Sequence, residues 1–539
     1  MRTAKPFALL AGLCLPILTP VSARPQTPHA GGGHPAVVSQ LGQVHFPTSC
    51  ESAAQPAVEK GVALLHSFQY TESEGTFNDA AKADPRCAMA RWGMAMARYH
   101  QLWDFPQPDT LKAARQDIEQ AQKMGARTER ERGYIAAAAA FYQDNSKLSH
   151  TDRTRAYSEA LAKLHSQAPE DGEASQFYAL SLIALGAVED IEKMGNLGKA
   201  IAILNPIFAQ QPSSPGAAHY LIHATDVPEL APQGLNAARA YAKIAPDSSH
   251  AIHMPSHIFV RLGLWQETID SNIAASASAA HATEMHRGES HYQTHAMDFL
   301  NYAYLQNGQE AKARQVAADS LTVVGASDEE KIDQQSRLLA GSLWELHRWT
   351  EAAALPIPKI RSLWLDSVYR TRAIGAARSG DPAGARKAIR ELQKIVARRT
   401  ASERQEGYQV PAGKSYDLLI TEAWLAFAQG KTAEALNEMR TAAVREEAHS
   451  KGYFGPPARE MLADMLLQAK RPTEALAEYQ AALARTPNRF DSLYGAGLAA
   501  QASGELATAR KYFSMLLENC SPSADRPELA QVHALLAGN

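Results

Sequence analysis

From Cys50 onward the apolar positions recur every three or four residues, the period of an amphipathic helix, and the pattern breaks at short polar turns. The stretch "AVEKGVALLHSFQYTESEGTFNDAAKADP" (57–85) holds Gly61, Leu64, Phe77, Ala80 and Pro85 in two such runs. The stretch "PPAREMLADMLLQAKRPTEALAEYQAALARTP" (456–487) repeats the scheme with Ala463, Leu466, Ala475, Tyr479, Ala482 and Pro487. One step further along, Gly497, Ala500, Ala509, Phe513 and Leu516 fall in the same register, and partial copies surround Ala200, Leu204 and Pro212, Ala385 and Ile389, and Ala435 and Met439. The pattern predicts pairs of antiparallel helices. Gly61, Ala475 and Ala509 let the paired helices approach, and Phe77, Tyr479 and Phe513 fill the space between them. A proline after the second helix stops it.

The step from one copy to the next is 34 residues. Together these positions resemble the tetratricopeptide repeat from about residue 50 to 520. The resemblance implies an all-α fold, a right-handed superhelix (α-solenoid) in which each unit buries the open face of its neighbour. It also implies that the first helix of each unit lines a concave surface where protein or peptide ligands bind. Residues 105–150 and 320–365 match the repeat poorly while keeping a helical pattern. The prolines at Pro356 and Pro358 mark a break between an N-terminal block, 50–355, and a C-terminal block, 356–539.

The N-terminus changes the setting of the fold. Arg2 and Lys5 precede an apolar run from Phe7 to Thr19, and Val21-Ser22-Ala23 supplies the small residues of a cleavage site. Residues 1–23 read as a secretory signal peptide, too short and too interrupted by proline for a membrane span. A lipoprotein reading at Cys14 is disfavoured by bulky Leu13. Residues 24–49, rich in Gly and Pro, read as a flexible linker, with His29 and His34 as no more than loose metal contacts. The mature chain is thus expected to be periplasmic or secreted. There Cys50 and Cys87, 37 residues apart on neighbouring units, are the disulfide candidate, and Cys520 is left over. The net charge of −3, with 21% charged residues and no basic run, gives no electrostatic case for nucleic acid.

Histidine carries the candidate chemistry. Nine of the 19 histidines fall between His219 and His295. His219/His223 and His253/His257 are pairs four apart, so each pair shares a helix face, and the two pairs are separated by the repeat step of 34. They are therefore expected at equivalent places on adjacent first helices, roughly 8–10 Å apart between axes, with their imidazoles meeting at one metal ion. His291 and His295 continue the theme, His291 lying 34 residues after His257. The turn "LQNGQ" comes about 11 residues late for strict register, nearly three helical turns, so the face is kept. Asp298, Tyr302 and Arg287 are then expected near the same groove, with His250 and Asp298 as additional ligand candidates. Pro255 disfavours a helical Met254, which predicts His250 in the lead-in to its helix. Imidazole alone does not choose the metal. Zinc is the default, and Met254, Met285 and Met297 keep copper open. Asp226, Asp298, Glu284 and Glu289 are the carboxylates available as ligands or as partners of the ligands.

Other motifs carry less. "GYQVPAGKS" (407–415) has the wrong glycine spacing for a phosphate loop, and HExxH and GxSxG do not occur. The aromatic run at His100, Trp103 and Phe105 and the lone His66 read as packing. Three function classes remain. The first is an exported binding protein with a His-rich transition-metal site on its concave face. The second is a metal-dependent hydrolase or oxidoreductase, with Glu284, Glu289 or Asp298 as its base. The third is a metal-free interaction scaffold. No motif assigns a reaction, and the repeat fold does not decide among them.

Overall fold

The computed structural model describes residues 40–537, except 103–104, 144–147, 189–192, 287–288, 363–364, 406–409, 411 and 450–453. Residues 1–39, which include the expected signal peptide, and Arg287 lie outside the described residues, as do Trp103 and Gly407. Among the described residues there is helix and turn, and no strand. Helices follow one another as antiparallel pairs, beginning with Gln55–His66 and Tyr70–Ala83 and continuing to Phe490–Ala502 and Leu506–Asn519. This is an α-solenoid of the expected kind. No described helix is long and apolar enough to cross a membrane.

The small-and-large scheme explains the close pairing. A Cβ on Gly61 or Gly93 would lie 2.7 or 2.2 Å from the ring of Phe77, and one on Gly497 would lie 2.3 Å from Phe513. Phe77, Tyr479 and Phe513 are buried between their helices. The weakly matching stretch 105–150 still forms a pair, Pro108–Met124 and Glu129–Tyr142. At the other weak stretch, Asp328–Glu345 is followed by a second helix of only six residues, Trp349–Ala354, which ends just before Pro356.

Residues 40–49 differ from the expected linker. Phe46 is fully buried and stacks on Trp92 at 5.3 Å. The Gln43 amide donates to Ser213 O at 2.9 Å, and the disulfide Cys50–Cys87 fastens the end of the segment. Two apolar side chains, Leu41 and Phe46, hold this stretch on the helices despite its Gly- and Pro-rich composition.

The solenoid also folds back on itself. Trp265 Nε1 donates to Asn488 O at 2.8 Å, and Asn307 Nδ2 to Asn519 O at 3.1 Å. The Asp525 carboxylate accepts the amides of Glu310 and Ala311 at the start of the Glu310–Asp319 helix. The C-terminal repeats thus cover part of the central ones.

Candidate metal centre

Three helices carry the histidines. Ser214 caps Pro215–Thr225, and Ser248 caps Ser249–His253, each through its hydroxyl. The second helix is interrupted only at Met254 and resumes as Pro255–Leu262. Met254 keeps helical angles, φ −54° and ψ −34°, and its amide donates to His250 O at 2.9 Å. His250 is therefore on the helix, not in a lead-in. Burial of Met254 outweighs the local bias from Pro255, which takes the proline-tolerant first position of the resumed helix. The third helix, Ser290–Gln306, brings His291 and His295.

The rings converge, but on two points rather than one. His219, His223 and His250 form one triplet, and His253, His257 and His295 a second, with the candidate ligand atoms of each triplet within 4.8 Å of one another. Nε2 of His219 lies 3.1 Å from Nε2 of His250, and Nε2 of His253 lies 3.0 Å from Nε2 of His257. Each triplet is an i, i+4 pair plus one histidine of the next helix, His250 in the first and His295 in the second.

The 11-residue extension explains this assignment. Gln309 N closes on Tyr304 O as Leu264 N closes on Phe259 O, 45 residues earlier. Counting 45 rather than 34 puts His295 in the place of His250, Asp298 in that of His253 and Tyr302 in that of His257. His291, reached by counting 34 from His257, falls a turn earlier and outside both triplets. Its Nδ1 is 3.1 Å from Glu289 Oε2. Asp298 is not brought to the imidazoles either: Gln334 Nε2 donates to it at 3.0 Å and Arg337 Nη1 at 3.2 Å. Met254 and Met297 are core residues, Met285 is 55% exposed, and Glu284 is exposed.

The outer nitrogens are anchored. His219 Nδ1 is 2.6 Å from the backbone oxygen of His66. His253 Nδ1 is 2.7 Å from Asn272 Oδ1, whose amide is oriented by Nδ2 donating to Thr268 O at 2.7 Å. His257 Nδ1 is 3.1 Å from Asp226 Oδ2, while Arg261 Nε donates to Asp226 Oδ1 at 3.1 Å. An oxygen acceptor requires the proton on Nδ1, which leaves the lone pair on Nε2. In the second triplet two such lone pairs face each other at 3.0 Å. With both rings neutral that contact is repulsive; it becomes favourable when one ring carries a second proton or when a cation lies between the two nitrogens. Two nitrogens held tetrahedrally at about 2.0–2.1 Å from one ion lie about 3.3 Å apart, close to the separations seen here. Nδ1 of His295 is buried with no hydrogen-bond partner.

Burial favours the neutral form, the one that binds metal, in His219, His250, His253 and His295. It lowers His219 to about 3 and His253 to about 4. It takes His250 and His295 well below the usual range, helped by the neighbouring imidazoles.

Several contributors had no signal in the pattern of histidines. Phe68 lies against the first triplet, its centroid 4.4 Å from that of His219 and 5.5 Å from that of His223. It holds a left-handed backbone, φ 54°, and its carbonyl accepts from Tyr292 Oη at 2.7 Å. Phe299 lies against the second triplet, 4.7 Å from both His253 and His257. Phe454 from the C-terminal repeats packs on Phe299 at 5.0 Å. The inner face is covered here, and the centre lies in the interior. His66 is bound by Glu173 at 2.6 Å and Tyr220 at 2.9 Å, as a packing residue would be, and its carbonyl anchors His219.

The family model of the tetratricopeptide repeat matches residues 420–489 and 461–524, so the chain carries tetratricopeptide repeats there. No curated protein matches the chain. Among solved structures it is similar to Naa15/Naa10 bound to HypK-THB, with 11% identity, 90% of this chain and 91% of that chain covered, and a TM-score of 0.22. It is also similar to the human IFIT1 dimer with PPP-AAAA, with 12% identity, 80% and 90% covered, and a TM-score of 0.35.

Proposed function

We propose that the protein is an exported repeat scaffold that binds transition metal through His219, His223, His250, His253, His257 and His295. The observation that carries this reading is the facing pair of Nε2 atoms at 3.0 Å, on two rings whose Nδ1 protons are committed to Asn272 and Asp226. A structural role would turn those lone pairs toward donors. Outer hydrogen bonds of this kind fix the tautomer and raise ligand basicity at metal sites. Export is supported by residues 1–23 and by the Cys50–Cys87 disulfide, a bond that persists in oxidising compartments. A peptide lying in the groove at this level would have to displace Phe454, which weighs against the metal-free scaffold.

Elemental analysis of the purified protein tests the reading. Transition metal is expected in the native protein, is removed by chelator, and on return raises the unfolding temperature. Binding at a thousand times Kd adds about 4 kcal/mol per site. The double variant His223→Ala/His257→Ala, which strikes both triplets, should lose the metal, whereas His347→Ala and His449→Ala should keep it. Metal held equally by the double variant would refute the site.

A further inference from the structure

We infer that the two triplets are the halves of one dinuclear centre built for copper. The inference rests on the metal-binding reading above and goes beyond it in nuclearity and in the ion.

The first argument is adjacency. In the first triplet the His219 centroid is 4.7 Å from His223 and 4.9 Å from His250, and in the second the three rings are 4.4 to 5.7 Å apart. Between them, His223 to His257 and His250 to His253 are each only 6.2 Å. The triplets therefore meet along two edges, and ions held in them share one small space.

The second argument is the repeat. Three successive units present three equivalent positions each: Gly216, His219 and His223; then His250, His253 and His257; then His295, Asp298 and Tyr302. Each triplet takes the last two positions of one unit and the first of the next. The ladder stops cleanly at both ends. A Cβ on Gly216 would lie 2.4 Å from Gln176 Oε1 and 2.5 Å from His66 Nδ1, so no histidine fits there. Asp298 is taken by Arg337, and Tyr302 accepts from Arg489 Nη1 at 2.9 Å. Three units thus yield two complete ligand sets. Each set has its own phenylalanine, Phe68 or Phe299.

The third argument is charge. The six ligand side chains are imidazoles, which bring no negative charge to a bound ion, and five of the residues, His219, His223, His250, His253 and His257, are buried. Asp226, the carboxylate touching His257, is already shared with Arg261. Among the described residues Asp226 is the carboxylate found against these rings, so two divalent ions would set four positive charges against little negative charge, and burying charge without a partner is costly. Two cuprous ions halve that charge, and imidazole suits copper as a ligand. The same shell is poorly matched to two zinc ions.

Anaerobic titration of metal-free protein with cuprous ion, followed by oxidation with ferricyanide and electron paramagnetic resonance, tests the inference. Two coppers per chain are expected. Oxidation of the pair should stop short of two independent cupric ions, because the second would restore the four charges that the shell does not offset, so the spectrum should account for clearly fewer than two spins. Zinc alone should fill no more than one equivalent. His295→Gln and His250→Gln, one in each triplet, should each keep one copper and show one full cupric spin. Two coppers with two independent spins would overturn the dinuclear arrangement, as would a limit of one copper per chain. Two tightly held zinc ions would overturn the preference for copper. Binding of no metal at all would instead refute the reading under Proposed function.

Discussion

The structure buries polar groups in two ways, and the contrast identifies the candidate site. Near the C-terminal repeats, Arg489 is fully buried and every one of its donors is engaged. Nε and Nη2 reach Glu460 at 2.7 and 2.9 Å, Nη1 and Nη2 reach Glu345 at 3.0 and 2.7 Å, and Nη1 also reaches Tyr302. Gln306 Nε2 completes the shell of Glu345 at 2.8 Å. That network is closed: donors meet acceptors. Five of the six histidines are buried as well, yet in the second triplet Nε2 faces Nε2 at 3.0 Å while both Nδ1 atoms lie on oxygen acceptors. A closed cluster holds helices together; a cluster whose ring nitrogens face one another is the one proposed above to hold a cation.

The largest expected effect breaks the closed side of the comparison. Arg489→Met leaves Glu345 and Glu460 buried without their cation, and removal of one member of a buried ion group costs about 3–5 kcal/mol. Thermal unfolding should show the loss, while the metal content of the folded variant at low temperature stays that of the parent. An unfolding temperature close to that of the parent would mean that the arginine is not the keystone of this interface.

A somewhat smaller effect comes from acid acting on the open side. His219 and His253 are lowered by burial to about 3 and about 4 in the folded protein, against 6.5 unperturbed. Between those values the unfolded chain binds protons that the folded chain refuses. The stability of the metal-free protein is therefore full above pH 6.5 and falls as the pH drops toward the folded values. For these two groups the loss between pH 6.5 and 5.5 is about 2 kcal/mol. Glu460, raised by burial, carries the opposite sign: its folded state takes a proton first, so its contribution grows as pH falls. Denaturant titrations across this range should show the histidine slope diminish in the His219→Gln/His253→Gln variant. A slope unchanged by that double replacement would show that these imidazoles are not the groups resisting protonation.

The sequence carried the repeat scaffold further than it carried either buried cluster. Paired helices, the 34-residue step and the small-and-large packing scheme are local or one repeat long, and they reappear in the structure at the same residues. The delay of "LQNGQ" by 11 residues was legible too, and it is what hands His295 rather than His291 to the second triplet. Strict counting by 34 from His257 missed that because it ignored the insertion. The division into two triplets depends on His250 being helical across Met254-Pro255, a choice made by packing. Phe68, the carbonyl of His66 and Phe454 reach the centre from about 150 residues or more away in sequence from the helices they meet. No periodicity announces such contacts, because they arise when the solenoid folds back on itself. Residues 40–49 read as linker for the same reason: Phe46 is held by Trp92, which no local pattern reveals.

The smallest expected effect sharpens the comparison by touching the open cluster without removing a ligand. Asn272 accepts the Nδ1 proton of His253 and is itself oriented by Thr268 O. Its replacement by Ala leaves both triplets intact but frees the imidazole of His253 to rotate or change tautomer. Losses of outer hydrogen bonds at metal-bound histidine commonly weaken binding by about 10–100-fold, and the lower figure corresponds to about 1.4 kcal/mol. The contact belongs to the second triplet alone, so a chelator-competition titration of Asn272→Ala should show one metal weakened and the other held as in the parent. Asn272→Asp keeps an acceptor at the same place and should restore the second affinity. Equal weakening of both metals by Asn272→Ala would mean that the triplets bind as one unit with no independent steps. No weakening at all would show that the His253 ring is held by packing against Phe299 and His295, not by its outer hydrogen bond.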